Sequence, residues 1–432
     1  MPQANSANAR AWTVTVLLAA FMMINFMDKA VLGIVAKKLM EELHIQPAEF
    51  GLIASSFFLL FSISAIVFGF IANRVSSWLV LLILAGIWGL SQFPLAFAAS
   101  VPVLYFSRIL LGVGEGPAYP LALHACYKWF NDDQRNVPSS IIFQGVTVGL
   151  LISGPILTFL LVNHGWHSAF LLLAIASLVW MTLWFFLGAD GKIAADPKTK
   201  ALENEKVPYW ALLTDPSFLG NMALYWVTYW IFSVMFTWVP AYLSTVLNYS
   251  PTATGWMFMV FTGMNIPIVL GGSALSQWLM KRSVSSVRAR VWLSCSFVLL
   301  GGLSILASIY LAQDPLMKVI LLAIGCNLPQ LTFVLSSTIV AEIVPSMQRS
   351  GILSINSALA TTGGLIAPAL TGRFIQNAVS PAVGYDQGFV VSACLAVGMA
   401  ILGFLIINPE TSRRRFSAAS VAIGARAPSA AS

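Results

Sequence analysis

The sequence predicts an all-α membrane protein whose twelve transmembrane helices form two six-helix bundles, with both termini on the cytoplasmic side. Three observations predict this. Of the 432 residues, 58% are hydrophobic and only 9% charged, against about 25% charged in a soluble protein; mean hydropathy is +0.83. The apolar residues gather in runs of ~20, the length that crosses a hydrocarbon core. Features of the first half recur in the second, half a chain further on.

Six runs near 12–36, 50–73, 78–98, 101–130, 137–161 and 166–188 make the first bundle, 1–188. A polar stretch, 189–216, carries Lys192, Lys198, Lys200 and Lys206 and reads as a cytoplasmic linker. Runs near 217–243, 252–279, 288–312, 315–344, 348–377 and 386–407 make the second bundle, 217–410. The tail 411–432, rich in Ala, Ser and Arg, is expected to be disordered. The first run is too long for a signal-peptide core and leads into many others. With the N-terminus inside, the outer loops hold only Lys37, Lys38, Lys318 and Arg373. The inner loops and tails carry most of the remaining Lys and Arg. That bias sets an N-in, C-in orientation in the plasma membrane, the inner membrane of a bacterium.

The four cysteines, Cys126, Cys295, Cys326 and Cys394, lie in apolar runs without metal-ligand spacing and read as packing residues. There is no Walker loop, zinc spacing or nucleophile elbow, so an enzyme is not expected. No cofactor, metal or nucleic acid is expected. The expected partners are membrane lipids, protons and a small organic anion, with the chain acting as a monomer.

The repeat is visible in the loops. Asp133-Gln134-Arg135 follows the fourth run, and Met347-Gln348-Arg349 follows the tenth. Pro155 ends a Gly-rich stretch in the fifth run as Pro368 does in the eleventh, at the same separation to within one residue. Two six-helix halves joined by a basic loop is the architecture of parallel-repeat transporters, whose binding site lies near the midplane.

Asp28 and Lys29 interrupt the first run; Arg108 and Glu115 interrupt the fourth. Each costs roughly 2.5–3.5 kcal/mol at bilayer depth. Arg108, Gly112 and Glu115, at i, i+4 and i+7, form one stripe of a helix, and Pro117 should bend that helix just past Glu115. Asn25, Asp28 and Lys29 share a face of the first helix. One reading is structural: buried pairs pin the two helices together. The other is functional, the default for ionisable groups inside a membrane. Fully ionised, the four sum to zero. A bound carboxylate adds one negative charge and one proton restores neutrality, so proton and anion bind with positive coupling. One proton with a monoanion is electroneutral; each further proton adds ~2.3 kcal/mol per 100 mV.

These residues resemble the major facilitator superfamily, and within it the anion:cation symporter family of organic-anion carriers, over about 12–407. Asn25 to Leu32 is similar to that family's Asn-Tyr-x-Asp-Arg-x-x-Leu, and Arg108 to Pro120 to its Arg-x-x-x-Gly-x-x-Glu-x-Pro-x-x-Pro. Trp129 to Arg135, Trp238 to Leu243, and Asn356 ahead of Gly363 and Pro368 also fit. The resemblance implies the major facilitator fold and proton-coupled uptake of a carboxylate by alternating access. It makes Glu115 the first proton carrier, Asp28 the second and Arg108 the group that tunes them. Three positions depart from the family pattern: Lys29 stands for Arg, Phe61 for Tyr, and Asn73 for an Asp in the loop after the second run.

Lys29 is the choice for the substrate carboxylate, as a point charge where Arg would grip bidentately. Tyr225 and Tyr229 share a face of the seventh helix and offer either a stacking wall or a lipid-interface belt. Gln144 and Asn356 occupy matching runs of the two halves and could bond the substrate; interhelical bonding is the alternative, favoured for Asn265 and Asn327. With Phe61, the aromatics tilt the expected substrate from a sugar acid towards an aromatic acid. Proton-antiport efflux, or a non-transporting sensor on the same fold, remain alternatives.

Overall fold

A computed structural model of the protein describes residues 2–71, 74–97, 100–130, 136–191, 207–345 and 348–424. Every regular element in them is helical. The first half holds α1 (Pro2–Leu43), α2 (Pro47–Ile71), α3 (Ser77–Gln92), α4 (Val101–Glu115), α5 (Ala118–Tyr127), α6 (Asn136–His164) and α7 (Trp166–Leu187). Then come a short α8 (Tyr209–Leu213), α9 (Pro216–Thr245), α10 (Pro251–Gly263), α11 (Asn265–Lys281) and α12 (Leu293–Tyr310). The chain closes with α13 (Pro315–Asn327), α14 (Thr332–Ile343), α15 (Arg349–Asn377), α16 (Pro381–Ile406) and α17 (Pro409–Gly424).

Among the described residues, eleven helical segments are long and apolar enough to cross a membrane. The expected span at 101–130 is not among them because it is broken into α4 and α5, of 15 and 10 residues. Pro117 has no N–H to offer the Val113 carbonyl, so the helix stops at Glu115 and restarts at Ala118, where Pro117 predicts the bend. The tenth expected span is interrupted in the same way. A 3-10 turn at Leu328–Leu331, carrying Pro329, separates α13 from α14. Pro155, Pro240 and Pro368 lie inside α6, α9 and α15 without breaking them.

Asn73, the loop 131–135, Met347, the linker lysines at 192–206 and residues 425–432 lie outside the described residues. The tail expected to be disordered from Thr411 is instead helical as far as Gly424.

The chain forms two compact units. The first is Met1–Ala195 with Ser233–Gly263 and Gly364–Gly388. Its core stacks Phe21 on Trp88 at 4.2 Å and Trp180 on Trp184 at 5.1 Å, with the Trp180 indole N–H donating to the Leu17 carbonyl at 2.6 Å. It also takes in the later part of α9, all of α10 and the later part of α15. A side chain at Gly33 would strike the Phe236 carbonyl, and one at Gly51 the Pro368 carbonyl. Trp238 Nε1 donates to the Pro368 carbonyl at 3.0 Å, and the Ala369 N–H donates to Ser55 Oγ at 3.1 Å.

The second unit is Asp196–Phe232 with Met264–Gly363 and Phe389–Ser432. Cys295 and Cys326 are buried here and Cys126 is buried in the first unit, but Cys394 is exposed on α16 rather than packed inside. Asp215 ties the start of α17 to α9. Its Oδ1 accepts the Ser217 and Phe218 N–H groups at 3.0 and 3.2 Å, capping α9, and also takes the Ser412 hydroxyl at 2.8 Å from the first turn of α17. One buried carboxylate therefore starts one helix and anchors another. Replacing Asp215 with Ala should destabilise the protein by about 1–2 kcal/mol, read as a lower melting temperature in detergent. Arg415→Gln, which removes only an exposed partner, should lie within about 0.5 kcal/mol of wild type.

Candidate functional site

Three helices of the first unit bring the intramembrane charges together. Asn25, Asp28 and Lys29 come from α1, and Arg108 and Glu115 from α4. The last residue of α3, Gln92, enters from the point where that helix tightens into the 3-10 turn Phe93–Ala96. Gly112 lets α4 approach α2, because a side chain there would overlap the Phe57 carbonyl. The gap between Arg108 and Glu115 is thus filled by a neighbouring helix.

The charges sort into two pairs. Lys29 Nζ is ion-paired with Glu115 Oε2 and donates to Asn25 Oδ1 at 2.6 Å. Asp28 and Arg108 are joined through a neutral amide: Gln92 Nε2 donates to Asp28 Oδ1 at 2.9 Å, and Arg108 Nη2 donates to Gln92 Oε1 at 3.0 Å. The cations also rest against rings, Lys29 at 4.5 Å from the Phe26 centroid and Arg108 at 5.7 Å from that of Phe170. Burial is nearly complete: Asp28 and Gln92 are 0% exposed, Arg108 and Glu115 2%. Lys29 alone of the four charges keeps a noticeable accessible share, 11% of its side chain.

The site is not saturated. Asp28 Oδ2, Arg108 Nε, Glu115 Oε1 and Asn25 Nδ2 are buried without a hydrogen-bond partner among the described residues. Such groups usually mark a place where another polar atom belongs. Gln92 carries no charge, and nothing in the run 78–98 distinguishes it from an interhelical polar residue; only the fold shows that it joins two ions. Replacing Gln92 with Leu should cost about 3 kcal/mol or more, since hydrogen bonds to charged groups contribute roughly 1.5–3 kcal/mol each. Gln92→Asn, which keeps the amide on a shorter arm, should cost less; thermal melting of the two variants separates them.

Phe61 sits on α2, its ring 5.4 and 6.1 Å from those of Phe57 and Phe58. Gln144 is exposed on α6. In the second unit, Tyr225 and Tyr229 lie 5.2 Å apart on α9 and both meet Phe333, at 5.6 and 5.0 Å; Phe333 is an aromatic partner that sequence reasoning missed. Asn356 is buried on α15, where its Nδ2 and that of Asn221 donate to one hydroxyl, Ser336 Oγ, at 3.0 and 2.9 Å. The Oδ1 atoms of Asn356 and Asn221 have no partner among the described residues. Asn265 Nδ2 donates to Gln330 Oε1 at 2.7 Å, joining α11 to the Leu328–Leu331 turn as expected, whereas Asn327 bonds locally, accepting from Gln330 at 3.1 Å and donating to the Ala323 carbonyl at 2.8 Å. Glu342, at the end of α14, accepts from the Ser286 hydroxyl and from Arg290.

Long apolar helices around a buried, electrically balanced and incompletely bonded ion cluster define a polytopic membrane protein of the transporter class. The profile of the Major Facilitator Superfamily matches residues 18–331. The chain belongs to this superfamily, whose members are transporters and not enzymes. It is 27% identical over 411 residues to the hexuronate transporter of Bacillus subtilis, covering 91% of this chain and 94% of that one. It is 26% identical over 408 residues to the probable sulfoacetate transporter of Cupriavidus necator, covering 89% and 91%. Among solved structures it resembles a bacterial homologue of the human lysosomal transporter Spinster in an inward-facing, occupied conformation. There the TM-score is 0.77 at 16% identity, over 94% of this chain and 97% of that one.

Proposed function

We propose that the protein is a proton-coupled symporter that takes up a small organic anion across the bacterial inner membrane by alternating access. The chain works as a monomer with both termini cytoplasmic, and 1–188 and 217–410 act as the two repeats. The observation that carries this reading is the Lys29–Glu115 pair, in which the cation retains accessible surface and the acid has almost none. An incoming carboxylate reaches Lys29 first and competes with Glu115 for its ammonium. If it wins, Glu115 is left buried with neither oxygen satisfied. An unpaired buried charge costs several kcal/mol, and Glu115 escapes that cost by taking a proton. Substrate binding thereby draws in the proton that accompanies it.

Asp28 is the second candidate proton carrier, and Arg108, tied to it through Gln92, is the group that tunes it. Tyr225, Tyr229, Phe61, Gln144 and Asn356 are the proposed contacts for the remainder of the substrate. The relatives named for hexuronate and sulfoacetate support a carboxylate or sulfonate cargo, and the tyrosines and Phe61 favour a cargo with an apolar face. Breaks at Pro117 and Pro329, half a chain apart, support the repeat.

The test is uptake into proteoliposomes under an inward proton gradient, with labelled hexuronate, sulfoacetate and hydroxyphenylacetate offered in turn. The reading expects at least one to accumulate, and accumulation to collapse when the gradient is dissipated. Accumulation that ignores the gradient, or efflux driven by it, would contradict the assignment.

A further inference from the structure

We propose that the hairpin joining α11 to α12 binds the phosphodiester headgroup of an anionic phospholipid, held by Arg282 and Arg288 with the glycerol and acyl chains laid along Trp278 and Trp292. This site lies in the second unit, shares no residue with the charge cluster and goes beyond the transport reading.

The two arginines form mirror pairs across the turn. The Arg282 guanidinium lies 4.1 Å from the Trp278 ring centroid, and that of Arg288 lies 5.8 Å from the Trp292 centroid. Trp278 precedes Arg282 by one helical turn on the way out of the span, and Trp292 follows Arg288 by one turn on the way back. The backbone at each tryptophan is therefore one turn nearer the hydrocarbon than at its arginine, about 6 Å along α11 for Trp278 and Arg282, and each guanidinium folds back over its indole. The indoles are 48% and 47% exposed. Indoles at the interface with arginines rooted one turn outward match the depth profile of a phospholipid, apolar below and anionic above.

The turn between the pairs is held in place. The Ser286 N–H donates to Glu410 Oε1 at 2.9 Å, and Glu342 takes both the Ser286 hydroxyl and Arg290. Arg290 is thus neutralised inside the protein, whereas Arg282 and Arg288 make no ion pair among the described residues and are exposed. Val287–Trp292 is a π-helical turn, a form found disproportionately at functional positions. The Glu410 contact also brings in the start of α17, which carries the exposed Arg413 and Arg414 and adds to the positive field. A free phosphate would use the arginines and gain nothing from the indoles; a lipid uses both.

The experiment is native mass spectrometry of the full-length protein in detergent with equal amounts of phosphatidylglycerol and phosphatidylcholine. Phosphatidylglycerol should be retained preferentially, and Arg282→Gln/Arg288→Gln should cut its retention roughly 30-fold while leaving phosphatidylcholine adducts unchanged. Lys38→Gln, which removes an exposed charge elsewhere, should behave as wild type. Should the double arginine variant misfold, Trp278→Leu/Trp292→Leu keeps both charges and should still lose phosphatidylglycerol severalfold. Equal retention of the two lipids by wild type, or undiminished phosphatidylglycerol in the folded variants, overturns the proposal. Displacement of the lipid by inorganic phosphate overturns it in favour of a free-anion site.

Discussion

Proteoliposomes carrying Glu115→Gln should exchange anion across the membrane and fail to accumulate it under a proton gradient. Gln is nearly isosteric with Glu and can still accept a hydrogen bond from Lys29 Nζ, so the junction of α1 and α4 survives. It cannot take a proton. Substrate binding then no longer creates an unpaired acid, and nothing links the anion to the gradient. The same substitution frees Lys29 from its competing carboxylate. A pair of unit charges near 4 Å is worth roughly 4 kcal/mol at an effective dielectric of 20. Recovering even a third of that should tighten equilibrium anion binding about tenfold. Gradient-independent exchange with tighter binding is a signature that simple misfolding does not produce. Unchanged gradient-driven accumulation would remove Glu115 from the role of proton carrier.

Replacing Lys29 with Met should have the largest combined effect on stability and function. It leaves Glu115 buried beside an apolar chain, and breaking a buried pair from one side costs about 3–5 kcal/mol. The melting temperature in detergent should fall by several degrees, and anion binding should be lost. The double variant Lys29→Met/Glu115→Gln contains no orphaned charge and should recover most of the lost stability while remaining unable to bind. That non-additivity is the fingerprint of residues in contact. Equal losses in the single and double variants would mean that the two side chains do not share the energetics their geometry implies.

The same contrast between charge and context decides what is legible in the sequence. Asp28, Lys29, Arg108 and Glu115 stand out because charge within an apolar run is conspicuous at any alignment of the helices. Spacing also places Arg108 and Glu115 on one stripe and Asp28 and Lys29 each within a turn of Asn25, and Pro117 marks the bend beside them. Gln92 is not legible: a neutral amide in the third run has no signature until the end of α3 is set against α1 and α4. Ser336, Asn221 and Phe333 are hidden for the same reason, being ordinary residues made specific by their neighbours. The fourth run reads as one span by hydropathy, although its proline divides it into two helices too short to qualify alone. The tail reads as disordered by composition because its anchor, Asp215, lies half a chain away and no local property of 411–424 announces it.

The most direct measurement is the number of protons taken up when substrate binds. Calorimetric titration of purified protein with its transported carboxylate, in buffers of different ionisation enthalpy, reads that number without any membrane. The account predicts close to one proton per carboxylate for wild type and none for Glu115→Gln at comparable or tighter affinity. Binding without proton uptake in wild type, or the same uptake in both proteins, would contradict it.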